Sequence, residues 1–264
     1  MVLLPALILG LGLIPAGRLT AQTLTTLHGF TATDPNTGAN TDGANPQAGL
    51  VVSGNILYGT AAAGGSSGNG TVFALNTNGR GFTNLYNFTG GSDGNLPQSV
   101  LILSGSTLYG MATTGGGWGN GTVFALSTNG MGFTNLYSFT SGNYNSSGII
   151  TNSDGALPSA GLILLGNTLY GTADGGGISG YGTVFSLFFP PQLTIIQNRT
   201  NVIVTWPNNV AGFNYSGFTM QSTTNLVSPV VWTTNFPAPV VINGQNTVTN
   251  PISGTQQFFR LSNP

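Results

Sequence analysis

The chain lacks cysteine, lysine and glutamate, and its only histidine is His28. Without cysteine there is no disulfide, thiolate nucleophile or zinc–thiolate site. Without lysine there is no Schiff base and no Walker A phosphate loop. A single histidine cannot assemble a multi-histidine metal site within one chain. The composition therefore predicts a protein with no cofactor and no bound metal.

Charge is also scarce. Five aspartates and four arginines make up 3% of the 264 residues and leave a net charge of −1, whereas soluble domains usually have about 25% charged residues. Such a composition gives no basic surface for nucleic acid, which we exclude as a partner. Hydrophobic residues make up 40% of the chain, enough to build a core in one or two domains.

The first residues have the pattern of an export signal. Residues 2–17 form an apolar run that is shorter than the ~20 residues of a membrane-spanning helix, and Ala21 offers a small residue for cleavage. We interpret residues 1–21 as a secretory signal peptide, with an ordinary buried first segment as the alternative. The mature protein is then extracellular or periplasmic and has no integral membrane segment.

Three tandem repeats follow the leader. Each repeat contains an Asp-Gly turn with a proline four residues after the aspartate, then the tripeptide Leu-Tyr-Gly, then the motif Gly-Thr-Val-Phe-x-Leu. The tripeptides begin at Leu57, Leu108 and Leu169, and the longer motifs at Gly70, Gly121 and Gly182. An insertion around residues 142–151 lengthens the spacing before the last repeat. We place it in a surface loop because it interrupts none of the motifs.

Each complete repeat predicts four short strands, which in the second repeat span residues 100–103, 107–112, 121–126 and 133–139. Thr122, Phe124 and Leu126 share one side of the third strand, and Val123 and Ala125 share the other. Both sides are largely apolar, so we expect both to be covered, as in a blade of a β-propeller. A stack of sheets resembling a β-solenoid is the alternative.

The third repeat lacks the fourth strand. Residues 24–30, at the other end of the repeat region, resemble the sequence of that fourth strand. We therefore expect them to complete the third blade and close the array. The fold predicted is all-β, with a propeller-like array of about three four-stranded blades at residues 22–191 and a small β-sandwich at residues 192–264.

The combined pattern LYGT…GG…GxGTVFxL…FxG…DGxxP resembles the Gloeo-Verruco tandem repeat of exported bacterial proteins of the choice-of-anchor kind, over about residues 23–188. The resemblance implies an extracellular, propeller-like module without assigned biochemistry. The sorting tail of that group has no counterpart here, so we expect release rather than anchoring. The last region predicts strands at residues 193–197, 202–206, 218–221, 230–233, 240–242 and 257–261, and it resembles immunoglobulin-like or fibronectin-like modules.

Aspartates are the only charged residues that recur in the repeats. Asp42, Asp93 and Asp154 each precede the glycine of a turn, and Asp174 occurs once. The expected role is capping of a turn, and the alternatives are contacts to an ion or a sugar. A pair of these carboxylates could also serve glycoside hydrolysis if two of them met within ~10 Å. His28 aligns with repeated tyrosines, so we expect it to pack as an aromatic ring.

The glycine-rich loops supply the candidate binding residues. Trp118 stands where the other repeats have serine, and Tyr181 stands where they have asparagine, including Asn120. Aromatic faces beside amides suit the stacking and hydrogen bonding of a sugar. The sequence thus predicts a secreted, non-catalytic protein for binding or scaffolding, with an extracellular polysaccharide or a cell-envelope component as partner. A carbohydrate-active enzyme is the alternative, and an incomplete propeller would also favour self-association.

Overall fold

The computed structural model describes residues 23–234, 236–252 and 256–263. These residues form antiparallel β-sheets connected by turns and contain no α-helix. Accordingly, none of them belongs to a helix long and apolar enough to cross a membrane. The all-β prediction is confirmed. The expected signal peptide lies outside the described residues.

Each repeat forms its own sheet, with the strands hydrogen-bonded in sequence order. The first repeat sheet contains β1 (Val51–Ser53), β2 (Ile56–Ala61), β3 (Thr71–Asn76) and β4 (Thr83–Asn87). The second contains β5 (Ile102–Ser104), β6 (Thr107–Ala112), β7 (Thr122–Ser127) and β8 (Thr134–Ser138). The insertion forms an exposed hairpin of β9 (Asn143–Tyr144) and β10 (Ile150–Thr151). The third sheet contains β11 (Ile163–Leu165), β12 (Thr168–Ala173) and β13 (Thr183–Phe188).

The second repeat sheet is covered on both sides, as the apolar pattern predicts. Val123 and Phe124 point to opposite sides of β7, and both are completely buried. Gly110 lies directly opposite Phe124 in the sheet, and a Cβ at Gly110 would lie 2.6 Å from the phenylalanine ring. The glycine of each Leu-Tyr-Gly tripeptide is therefore required because an aromatic ring lies over its backbone.

Aromatic rings join consecutive sheets. Tyr86 at the end of the first sheet stacks on Phe133 of the second with ring centroids 3.9 Å apart, and Phe88 meets Phe124 edge to face at 5.2 Å. Such pairs contribute about 0.5–1.5 kcal/mol beyond the apolar area that they bury. The contact between repeats is thus specific as well as apolar.

Residues 24–30 do not close the array, and the closure prediction is wrong. They form no strand, and in the described part of the chain β13 pairs with β12 alone. The segment instead packs on the first sheet, where His28 stacks on Phe82 at 3.8 Å and Phe30 meets Phe73 at 5.5 Å. It therefore occupies the place that the last strand of a preceding repeat would have. The described residues contain no closed ring of blades, so the propeller arrangement stays a prediction.

The last region contains three further sheets. One has the order β14-β15-β20-β19, and the others pair β16 with β17 and β18 with β21. Residues 230–233 form only an isolated bridge between Thr233 and Ser222 rather than the strand expected there. The strands are β14 (Thr194–Asn198), β15 (Asn201–Pro207), β16 (Asn209–Val210), β17 (Phe213–Asn214), β18 (Thr219–Thr223), β19 (Val240–Ile242), β20 (Gln245–Pro251) and β21 (Phe258–Ser262). The sandwich and its immunoglobulin-like class stay predictions.

One apolar core joins the second and third repeats to the last region. Trp206 is completely buried in a cluster that also contains Tyr109 and Leu169 of the repeats. The Tyr109 hydroxyl donates a hydrogen bond to the carbonyl of Ala211. The tryptophan of the predicted strand at residues 230–233, Trp232, lies half-buried under the guanidinium of Arg260. The two regions are therefore packed together rather than joined only by a linker.

Candidate functional site

The repeated aspartates bind the strand that precedes their turn. Asp154 accepts hydrogen bonds from the Tyr137 hydroxyl at 2.7 Å and from the Thr140 amide at 2.8 Å. The Thr140 hydroxyl also donates to the same carboxylate. These hydrogen bonds fasten the end of the second repeat sheet to the beginning of the third repeat, and they come from the preceding repeat rather than from the turn that Asp154 was expected to cap.

The arrangement at Asp154 has a counterpart in the preceding repeat. Asp93 is buried and accepts from the Tyr86 hydroxyl at 3.0 Å and from both the amide and the hydroxyl of Thr89 at 2.7 Å. Burial together with the hydrogen bond to Asp93 raises the pKa of Tyr86 to about 12. Burial and the bond to Asp154 raise the pKa of Tyr137 to about 12 as well. Both tyrosines are therefore neutral hydrogen-bond donors at neutral pH.

Histidine replaces the tyrosine in the first of these clusters. His28 Nε2 lies 3.0 Å from the carboxylate of Asp42, which also accepts from the Thr31 amide. Burial alone would raise the pKa of Asp42, but the hydrogen bonds from Thr31 and His28 outweigh it and hold the pKa below its usual value. His28 thus packs as an aromatic ring, as expected, and also binds the aspartate.

The threonines of these clusters were missed in the sequence, although a signal for them exists. Thr31, Thr89 and Thr140 each follow a phenylalanine directly and precede the aspartate turn. Threonine supplies a backbone and a side-chain donor at one position, and two donors match the two oxygens of a carboxylate. The Phe-Thr dipeptide therefore belongs to the repeat motif.

The glycine-rich loops carry the exposed aromatic residues. Trp118 is 63% exposed in the loop between β6 and β7, beside Gly117 and Gly119, where a Cβ would meet no atom within 4 Å. Because most of the Trp118 side chain is exposed, it contributes little to the packing of the loop. The side chain is available to a flat ligand.

Asn120 does not lie on that surface. Its side chain is buried, and its Nδ2 donates to the carbonyl of Thr140 at 2.6 Å. Its own carbonyl accepts from the Leu157 amide of the next repeat at 2.9 Å. The second of these bonds joins two repeats, and both argue against the expected ligand contact of Asn120.

Tyr181 and Asp174 lie in a different place from Trp118. They line a shallow groove of about 460 Å³ at the exposed side of the third repeat sheet, together with Thr172 and Val184. The lining does not include Trp118, so the two aromatic candidates do not share this groove. Asp174 is the one acidic residue in this lining, and the described residues contain no group of three histidine or acidic side chains that could hold a metal ion.

The stacked sheets, the repeated aspartate clusters and the glycine-rich loops define an all-β tandem-repeat protein. The sequence profile of the Gloeobacter/Verrucomicrobia repeat matches residues 17–227, and the chain belongs to this family. Comparison with curated proteins yields no match.

Proposed function

We propose that this chain is an exported, non-catalytic repeat protein that binds or scaffolds extracellular material, with its repeats arranged as in a propeller and its last region as an immunoglobulin-like sandwich. The observation that carries the proposal is the state of the repeated carboxylates. Asp42, Asp93 and Asp154 each accept several hydrogen bonds from within the protein. A carboxylate held in this way serves cohesion between repeats rather than proton transfer to a substrate.

We place the ligand contact at Trp118. Its exposed indole lies in an open loop, and an indole offers a flat apolar face together with an N–H donor, which suits a sugar ring. The scarcity of charge favours a neutral polysaccharide, since strongly charged ligands require countercharge. Affinity is expected to be modest because a shallow surface buries little of the ligand.

Substitution of the indole tests this proposal. Trp118→Ser introduces the residue that the other repeats carry at this position, so the fold should tolerate it. We expect loss of retention on neutral polysaccharides in affinity electrophoresis, with an unchanged melting temperature. Met131→Ser is the matched control because Met131 is also an exposed apolar side chain, in the connection between β7 and β8. Equal binding by the wild type and Trp118→Ser would contradict the ligand contact.

The glycoside hydrolase alternative has its own readout. Asp174 is exposed in the groove of the third repeat, and its carboxylate accepts no hydrogen bond from the described residues. Hydrolysis of a polysaccharide that disappears in Asp174→Asn would favour the enzyme and overturn the non-catalytic assignment. We expect no release of reducing sugar from any neutral polysaccharide that the protein retains.

A further inference from the structure

The last repeat sheet exposes a surface that the other repeats bury. Val72 and Val123 occupy equivalent positions and are completely buried, whereas Val184 is 84% exposed. Tyr58 and Tyr109 are likewise buried, whereas Tyr170 is 40% exposed. The register of the sheet places these side chains on one side, which we call the terminal face: Ile163, Tyr170, Thr172, Val184 and Phe188.

Among the described residues, the edge strand of the same sheet, β13, is also unpaired on one side. In the first two repeats the third strand pairs with a fourth strand, whereas in the described part of the chain β13 pairs with β12 alone. A row of free backbone N–H and C=O groups is a template for a further strand. Within the part of the chain that the structure describes, the third repeat thus lacks both its fourth strand and a covering neighbour.

Beside this edge, the third repeat has a cavity at the position where the other two repeats have a phenylalanine ring. Phe133 stacks between Tyr86 and Phe124, with centroid distances of 3.9 and 5.6 Å. Phe82 lies in the same way between His28 and Phe73. The equivalent place in the third repeat is a cavity of about 120 Å³ lined by Tyr137, Phe139, Asp154, Phe185, Ser186 and Leu187.

The first repeat has the complementary surface. Leu24 aligns with Phe82 and Phe133, yet it is 98% exposed. Leu50 is 54% exposed, whereas its equivalent Leu101 is 2% exposed because the preceding sheet covers it. Residues 24–30 already lie on the first sheet as the fourth strand of a preceding repeat would. Among the described residues, the first repeat is therefore preceded by an extended segment that pairs with no sheet, and the third repeat sheet lacks its fourth strand.

We propose that copies of this chain associate head to tail, with residues 24–30 of one copy forming the fourth strand of the third repeat sheet of another. Leu24 then fills the cavity beside Phe185, and the first repeat of the incoming copy covers the terminal face. This contact continues the interface that already joins consecutive repeats within the chain. The pairing of β3 with β4 predicts its register, with Val184 opposite His28 and Phe185 opposite Thr26.

The association is heterologous, because the two contacting surfaces differ. Such a contact leaves one free end on each side and produces rings or filaments instead of a symmetric dimer. The proposal does not depend on a ligand at Trp118, because that side chain belongs to neither surface. Trp118→Ser should therefore leave self-association unchanged.

Two variants with opposite defects test the proposal. Val184→Asp blocks the terminal face and leaves the first repeat intact, and Leu24→Asp does the reverse. Both side chains are exposed, so both variants should fold. We expect sedimentation to show assemblies larger than a dimer for the wild type, monomers for each variant alone, and 1:1 dimers when the two variants are mixed.

A variant that strengthens the association between copies provides a further test, because a misfolded variant would not bind more tightly. Leu24→Phe introduces the ring that the other repeats place at the position of the cavity, and it should lower the dissociation constant roughly fivefold because more apolar surface is buried. Met131→Asp is the control for an exposed apolar side chain elsewhere, and it should not change the association.

Three results would overturn the proposal. The first is a wild type that remains monomeric up to about 1 mM, since the free energy of association is then weaker than about 4 kcal/mol. The second is association that Val184→Asp abolishes but Leu24→Asp does not, which would indicate pairing of two terminal faces. The third is a mixture of the two variants that stays monomeric.

Discussion

The hydroxyl of Tyr137 donates a hydrogen bond to the carboxylate of Asp154 over 2.7 Å, and the two residues belong to consecutive repeats. The same relationship joins Tyr86 to Asp93 at 3.0 Å, and His28 takes the place of the tyrosine beside Asp42. Each repeat is therefore connected to the next by a charged hydrogen-bond acceptor as well as by stacked aromatic rings.

Asp154→Asn should destabilise the protein by roughly 1–3 kcal/mol, because neutral oxygen accepts more weakly and the new amide group faces donors from Thr140. Urea denaturation at pH 7 measures the change. The double variant with Tyr137→Phe should lose less than the sum of the single losses, since both substitutions remove the same hydrogen bond. Strict additivity would show that the two side chains do not interact.

Stability should fall in acid because two of these carboxylates have lowered pKa values. Burial opposes the shift at Asp154, but hydrogen bonds from Thr140 and Tyr137 hold its pKa below the usual value, as Thr31 and His28 do for Asp42. A lowered pKa in the folded state gives stability that is present above the unfolded value of about 3.9 and is lost as the pH falls through the folded value. The titration of these two carboxylates should therefore change the free energy of unfolding little between about pH 7 and 5 and should decrease it below about pH 4.

Denaturation of the wild type and of Asp154→Asn at several pH values checks this dependence. The variant lacks one of the titrating groups, so its stability should decrease less steeply between about pH 4 and 2. Parallel curves for the two proteins would exclude Asp154 as a source of the acid sensitivity.

Gly110→Ala should be strongly destabilising. The added Cβ would lie 2.6 Å from the ring of Phe124 and 2.7 Å from Leu101, and overpacking of a filled core costs typically 1–3 kcal/mol. The control is Gly117→Ala, because its Cβ meets no atom within 4 Å and the change reduces the entropy of the unfolded chain. Thermal melts compare the two, and equal melting temperatures would contradict the close packing at Gly110.

Removal of residues 192–264 should prevent the repeats from folding as a soluble unit. The shared core contains Tyr109 and Leu169 of the repeats together with Trp206 and Phe213 of the last region, so the truncation exposes apolar side chains that are now buried. We expect aggregation in light scattering and loss of the cooperative melt. A soluble repeat fragment with the full melting temperature would show that the core can be divided.

The strands of the repeats could be predicted from the sequence because their signals are local. Alternation in Thr-Val-Phe-Ala-Leu predicts a strand covered on both sides, and glycines mark the turns. The structure places β7 at Thr122–Ser127, one residue from the predicted span. The strands of the last region were harder to predict, since their sequences do not repeat. The strand β20, Gln245–Pro251, was missed because its polar sequence gives no apolar alternation.

The candidate site depended on contacts between repeats, which no local pattern contains. The sequence places an aspartate before each turn, but the partners of Asp93 and Asp154 come from the preceding strand. Asn120 also stands out in the sequence as a polar residue, yet its side chain is buried and its amide donates to the carbonyl of Thr140.

The sequence by itself determined the repeats, their strands and their scarcity of charge, since each is a property of composition or of local alternation. Only the tertiary structure decided where residues 24–30 lie. The strand motif is compatible with either end of the array, and local propensity does not distinguish the ends. The segment lies on the first sheet because Phe73 and Phe82 there offer aromatic surfaces to Phe30 and His28. Its own pairing edge and that of β13 are left without a partner within the described chain, because joining them would require the array to close.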